Sequence, residues 1–521
     1  MRMKTILLAS LLSCSVSLSS DAPQRLTILH SNDVHGHLLP CSYPAISSLR
    51  SGNVIAGVMM PGNLIGAFDL PARRDIGGIA RRATLASRIR SDLAKRGTPV
   101  WLIDAGDIFF YSAFSNEYHG DADVIAMNQA GYDFATFGNH EFGITLVQLK
   151  KLITEARFPF LCANVTDNTT RQPLAKRYEV RQVGDMRVGI FGLVASSIGR
   201  SLAVTQGLEV EDVFKAAPAI VAQLRGPEKA DIIILISHCG ESVDKQFARQ
   251  VPGIDVIVGG HSHTRLPQGE IVWSSEELKP DEVNGTVIVQ AGQWGGELGR
   301  LDLLLDKNSS GKWRVNRYQE QLLSVTGETP EDPTVKAVLD KLWAPHVAKY
   351  DELLATATAD FADRGDDFSQ NNLFADAVRA EFGAEVEFEA LGGVHWPIVA
   401  GPVTRAMLVD VDQNTSTVLT FRMKGSEIRR FVQQSTPICS GLRYRMYLGN
   451  LEAITVGDAP LDDTRVYFCA TNPSLASRMN SLEVLAKKDT KRPWSEVVID
   501  AIRKAKTITP AYDGRRIVDQ R

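Results

Sequence analysis

At 521 residues the chain is longer than a single hydrophobic core usually serves, so two domains are expected. Its 44% hydrophobic and 23% charged residues are those of a globular protein, which excludes a disordered or fibrous chain. The net charge of −4, with both signs intermixed, excludes a polybasic binder of nucleic acid or membrane surfaces.

In chain order, Arg2 and Lys4 precede a short apolar run at 6–12 and a stretch of small residues at 13–20. That is the layout of a secretory signal peptide over 1–20, too short to span a bilayer. Leu11-Leu12-Ser13-Cys14 also resembles a lipobox, which makes Cys14 a candidate lipid anchor. Both readings imply export, to the periplasm, the cell surface or the extracellular space.

Between 25 and 325, short β-branched runs at 26–29, 100–103, 134–137, 188–191, 232–236 and 256–258 read as buried strands. Apolar spacing predicts helices over 78–95 and 145–156 between them, so this stretch is expected to be an α/β domain. Residues 327–334 are polar and carry two prolines, a linker signal. A connecting helix is expected over 335–354, giving a joining segment at 326–354. A second domain is expected over 355–521. Beyond Cys14 there are five widely spaced cysteines, no disulfide framework and no zinc-type pair. Cys439 and Cys469 have two open readings: a disulfide, or two buried small apolar residues.

Five short segments each follow a predicted strand. They are Asn32-Asp33-Val34-His35-Gly36-His37, Asp104-Ala105-Gly106-Asp107, Gly138-Asn139-His140-Glu141, Ser237-His238 and Gly259-Gly260-His261-Ser262-His263. Residues at the carboxyl ends of strands in open α/β sheets share one rim, so the segments are expected to converge. Carboxylate, imidazole and amide oxygen together suit a divalent ion such as Mn, Fe, Zn or Co. Each motif alone is ordinary turn or cap chemistry. Together they hold six of the ten histidines, which packing does not explain.

At these residues the chain resembles the metallophosphoesterases with a calcineurin-like catalytic domain. Gly77-Gly78-Ile79-Ala80-Arg81, Asp121-Ala122-Asp123-Val124-Ile125-Ala126-Met127-Asn128 and Cys162-Ala163-Asn164 narrow the likeness to the 5'-nucleotidase and UDP-sugar hydrolase branch. Asn372-Leu373-Phe374-Ala375-Asp376 and Ala470-Thr471-Asn472 carry it into the second domain. The resemblance implies a four-layer α-β-β-α catalytic domain and a smaller α+β C-terminal domain with a substrate pocket between them. It implies two divalent ions, one held by Asp33, His35, Asp107 and His263, the other by Asp107, Asn139, His238 and His261. Such ions, roughly 3.5–4 Å apart, hold a hydroxide for in-line attack on phosphorus. His140, beside Asn139, is expected to stabilise the transition state, with His37, Asp104 and Glu141 in supporting places.

Three positions depart from the branch. Gly143 stands where an aspartate supports the catalytic histidine, and Trp396 where an arginine binds the substrate anion. Ser474 lies where an aromatic residue stacks on the base. Arg443 and Arg478 each have two open readings, an anion contact or a solvated surface arginine, and Trp396 itself is a candidate substrate contact. The expected protein is therefore an exported, monomeric or weakly oligomeric phosphoester hydrolase acting on a nucleotide or related small molecule. Two competing readings stand beside it. One keeps the metals but acts on a non-nucleotide phosphoester or a sulfur ester; the other is a non-catalytic surface binding protein on the same scaffold.

Overall fold

The structure is a computed structural model that describes residues 23–41, 54–55, 58–59, 75–110, 112–196, 207–273, 285–361, 363–364, 367–390, 398–411 and 416–519. The proposed signal segment and Cys14 lie outside the described residues.

Two sheets face each other in the N-terminal half. The first runs in spatial order Trp313–Ser324, Glu297–Lys307, Gln24–Ser31, Val100–Asp104 and Phe134–Ala135. The second runs Glu270–Trp273, Gly285–Val289, Val256–Gly259, Ile232–His238, Met186–Val194 and Tyr178–Val183. Parallel pairing of Thr27 with Val100 and of Ile234 with Val256 sets the registers that bring the motif-bearing strand ends together. Successive side chains of a strand alternate between faces. Leu26 and Ile28 accordingly join Ile103, Ile190 and Ile234 in the core between the sheets. Leu29 turns the other way, onto the helices Ile79–Ala94, Asp121–Ala130 and Leu146–Glu155. Helices Val213–Arg225 and Glu241–Gln250 cover the second sheet through Ala217, Leu224 and Phe247. The result is the four-layer α-β-β-α stack.

The joining segment departs from the single helix expected over 335–354. Asp332 caps a helix at Pro333–Trp343, accepting from Thr334 N (2.9 Å) and Val335 N (3.0 Å). Pro345 has no N–H and its ring crowds the preceding turn, so the helix stops. A separate single-turn helix at Val347–Tyr350 follows, and the chain is already extended over Leu353–Ala357.

The C-terminal half holds a sheet in the order Ile438–Ser440, Val386–Glu389, Val466–Thr471, Thr417–Lys424 and Val484–Pro493. Ser369–Phe382 and Trp494–Ala505 pack on one face; Gly425–Ser435 packs on the other. This sheet decides the question of Cys439 and Cys469. Phe388 pairs with Cys439 on one side and Val386 with Cys469 on the other, so a whole strand separates the two cysteines. Two inter-strand steps are about 9–10 Å, beyond the reach of a disulfide, whose Cα atoms lie within about 7 Å. Both are buried free thiols.

Candidate metal centre

The motif loops are fastened to one another by their backbones. Asp33 N donates to the Gly106 carbonyl (2.9 Å), His35 N to that of Asp107 (2.9 Å) and Gly36 N to that of Ile108 (2.7 Å). His261 N donates to both carboxylate oxygens of Asp33 (3.1 and 2.9 Å). Of the seven expected ligands, Asp33, His35, Asp107, His261 and His263 have φ between 50° and 73°, the left-handed region. Non-glycine residues persist there only where their surroundings over-determine them, and such positions cluster at functional sites. Close approach also requires glycine twice. A Cβ at Gly138 would overlap Asp107 Oδ1, and one at Gly260 would meet the Ala105 carbonyl and the His238 ring.

Three sets of ligand atoms converge: Asp33, His35 and His263; His35, Asp107 and His140; Asp107, His238 and His261. His263 Nε2 lies 3.4 Å from Asp33 Oδ1 and 3.2 Å from His35 Nε2. His238 Nε2 lies 3.1 Å from Asp107 Oδ2 and 3.9 Å from Asp33 Oδ1. Asn139 Oδ1 is 3.1 Å from His261 Nδ1. The seven expected ligands are thus brought together, and His140 joins them with its Nε2 3.9 Å from Asp107 Oδ2. The donor chemistry fits divalent ions. His238 Nδ1 donates to the Ala105 carbonyl (2.8 Å), which turns Nε2 toward two carboxylates. Imidazole nitrogens and carboxylate oxygens crowd together here.

Electrostatics point the same way. Burial, followed by the neighbouring imidazoles, holds His35 well below its ordinary value despite Asp107. Burial and then His238 depress His261 to about 4, and burial lowers His140. Burial opposes charge on His238 too, but Asp107 and Asp33 outweigh it and raise it to about 10. A neutral, buried imidazole is the ligating form, so His35 and His261 are already in it, whereas His238 has to give up its proton when an ion binds.

The supporting residues have definite tasks. Glu141 accepts from four backbone N–H groups: Asp107 (3.0 Å), Ile108 (2.8 Å), Phe109 (3.1 Å) and Gly138 (2.5 Å). It therefore templates the two loops that carry Asp107 and Asn139. Asp104 accepts from Ser31 Oγ (2.6 Å) and Gly106 N (2.9 Å). His37 Nδ1 donates to the Val34 carbonyl (2.9 Å), and its ring centroid lies 6.0 Å from that of Trp294. Two contributors carried no sequence signal of their own. Gln290 Oε1 accepts from Ser262 Oγ (3.1 Å) and, more closely, from Thr264 N, holding the 259–263 loop. Arg82 is fully buried, with its guanidinium against the Gly295 backbone.

The departures resolve unequally. His140–Gly143 is a 3₁₀ helix, in which residues three apart share a face. A Cβ at Gly143 would lie 3.0 and 3.1 Å from the Phe110 ring, so an aromatic edge fills the space of a carboxylate beside His140. Trp396 and the side chain of Ser474 lie outside the described residues. Arg443 is half-exposed and committed to Asp513, its Nη1 donating to that carbonyl at 2.6 Å. Arg478 is exposed.

A calcineurin-like phosphoesterase family model matches residues 26–265, and a model described as the 5'-nucleotidase C-terminal domain matches residues 347–487. The chain belongs to the 5'-nucleotidase family of two-domain metallophosphoesterases. Among relatives of this family, Protein UshA of Yersinia enterocolitica is 28% identical over 88% of this chain and 86% of its own length. A 5'-nucleotidase of Vibrio cholerae is also 28% identical, over 88% and 84%. The crystal structure of a 5'-nucleotidase precursor from Thermus thermophilus superposes with a TM-score of 0.75 at 25% identity, covering 95% of this chain and all of that one. The protein is a metal-dependent phosphoester hydrolase of this family. Among the described residues no helix is long and apolar enough to cross a membrane.

Proposed function

We propose that the protein is an exported hydrolase that releases phosphate from nucleotides or related small phosphoesters at a centre for two divalent ions. The observation that carries this reading is the sharing of Asp107 between two ligand groups, one with His35 and the other with His238 and His261. In this reading Asp33, His35, Asp107 and His263 hold one ion, and Asp107, Asn139, His238 and His261 hold the other. When bound, such ions neutralise phosphate charge and lower the pKa of water to about 7. The chain's own residues do the rest. Glu141 keeps the Asp107 and Asn139 loops in register, and the Ala105 carbonyl fixes the His238 tautomer. His140, a quarter exposed, stands at the open side of the groups, where its ring N–H would meet a phosphoryl oxygen as charge develops.

The stretch 25–325 acts as the catalytic domain, 326–354 as the joining segment and 355–521 as the substrate-selecting domain. The two 5'-nucleotidase relatives support a nucleotide. One observation favours the second reading, a non-nucleotide phosphoester: Arg443 is tied to Asp513, so it is not free to take the place of the arginine missing at Trp396. Turnover of AMP, UDP-glucose, a sugar phosphate and an aryl phosphate with Mn, Co or Zn separates the readings. Wild type should hydrolyse at least one, and Asp107→Asn should lose at least a thousandfold in kcat. An inactive wild type, or an Asp107→Asn variant of full activity, would refute the assignment.

A further inference from the structure

Trp294 stands where the apolar core of the C-terminal half meets the metal loops. Its φ is 57°, a region that a bulky side chain avoids because its Cβ crowds the backbone. Its backbone N–H donates to the Asp33 carbonyl at 2.7 Å. Its indole lies edge-on to the His263 ring, with centroids 6.1 Å apart, and 6.0 Å from that of His37. The residue is 8% exposed, and it shares one buried cluster with Ile76 and with Leu354, Phe361, Phe374 and Val403 of the C-terminal half. The next residue, Gly295, is left-handed too, and a Cβ there would overlap the guanidinium of buried Arg82. The 293–296 loop is thus wedged from both sides.

His263 differs from His238 in how its ring is oriented. A metal-binding imidazole normally donates its second N–H to a fixed acceptor, as His238 does to Ala105. Among the described residues no hydrogen bond reaches Nδ1 of His263. What neighbours its ring instead is the indole of Trp294, in a T-shaped pair.

We propose that Trp294 is a positioning residue that takes the place of this missing hydrogen bond. Braced on the C-terminal core, it holds His263 by its ring and Asp33 by its backbone, so seating of the second domain is felt as affinity at the Asp33–His35–His263 group. The proposal rests on the metal-centre reading above. The test is a calorimetric titration of the metal-stripped full chain with Mn²⁺, with metal content counted after dialysis. Wild type should bind two ions. Trp294→Gly removes the ring while making the left-handed backbone unstrained, so the chain should still fold. It should bind one ion as wild type does and the other at least tenfold more weakly, and Trp294→Phe should stay within about threefold of wild type. Trp294→Gly binding both ions as tightly as wild type would overturn the proposal alone, as would equal weakening of both sites. A wild-type chain that binds no Mn²⁺ would instead sink the metal-centre reading, and this inference with it.

Discussion

Glu141 shows how much one buried side chain fixes. Its two oxygens receive four backbone N–H groups from the loops bearing Asp107 and Asn139, and hydrogen bonds to a charged group contribute about 1.5–3 kcal/mol each. Glu141→Gln replaces one acceptor by a donor that faces N–H groups. It should cost about 3 kcal/mol of stability in denaturant unfolding and lower metal content as well. Asp123 gives a pH prediction with the opposite sense from most carboxylates. Burial raises it to about 8, against the pull of the Ser115 hydroxyl. Its folded pKa therefore exceeds the unfolded one of about 3.9. The folded state binds the extra proton between these values, so the stability from this group is present below about pH 4 and is lost as pH rises toward about 8. Asp123→Asn should flatten the fall in melting temperature over that window, and an unchanged slope would refute the assignment. The ligand residue types were legible in the sequence because carboxylates and imidazoles at strand ends have few other uses. The tasks of Gln290, Arg82 and Trp294 were not legible, since none belongs to a spaced motif and each acts through a contact distant in sequence.

At the scale of elements, the expected helices at 78–95 and 145–156 form at Ile79–Ala94 and Leu146–Glu155 because their apolar spacing matches the helical period. The apolar pattern of the joining helix continues past Trp343, where the helix itself ends. Pro345 stops it by geometry rather than by polarity. Its start is firmer, since Asp332 accepts from two N–H groups with Pro333 behind it. Asp332→Ala should cost about 1 kcal/mol, read as a lower melting temperature with metal content unchanged. The helix also leads into a clasp that no periodicity announces. Glu117 of the catalytic half accepts from Lys349 (2.5 Å) and from Tyr350, and Trp343 stacks on Tyr350 with centroids 5.3 Å apart.

For the whole molecule, the metal centre links two layers of the catalytic domain. Asp33 and His35 follow a strand of the first sheet; His238 ends one strand of the second, and His261 and His263 follow another. Ions bound only by the folded arrangement stabilise it by mass action, by about 2.7 kcal/mol at a hundredfold excess over Kd. Chelation should therefore lower the melting temperature as well as abolish turnover, and re-addition of Mn²⁺ should restore both. A melting temperature indifferent to chelator would mean that the loops are held without ions.

Sequence alone determined the catalytic fold class and the chemistry of its donor set. Buried strands, helical stripes and strand-end ligands are local patterns, written within a few residues of one another. Tertiary structure alone decided which ligand groups converge and that Cys439 and Cys469 stand a strand apart. It also decided that Phe110 fills the space beside His140 and that Trp294 ties the second domain to the first. Each of these is a meeting of segments far apart in the chain. Their distances are set by sheet register and layer packing, which no local spacing records. The metal-ligand motifs could be read in one dimension because each keeps its residues together. The brace that orients them could not, because it exists only once the two halves are packed.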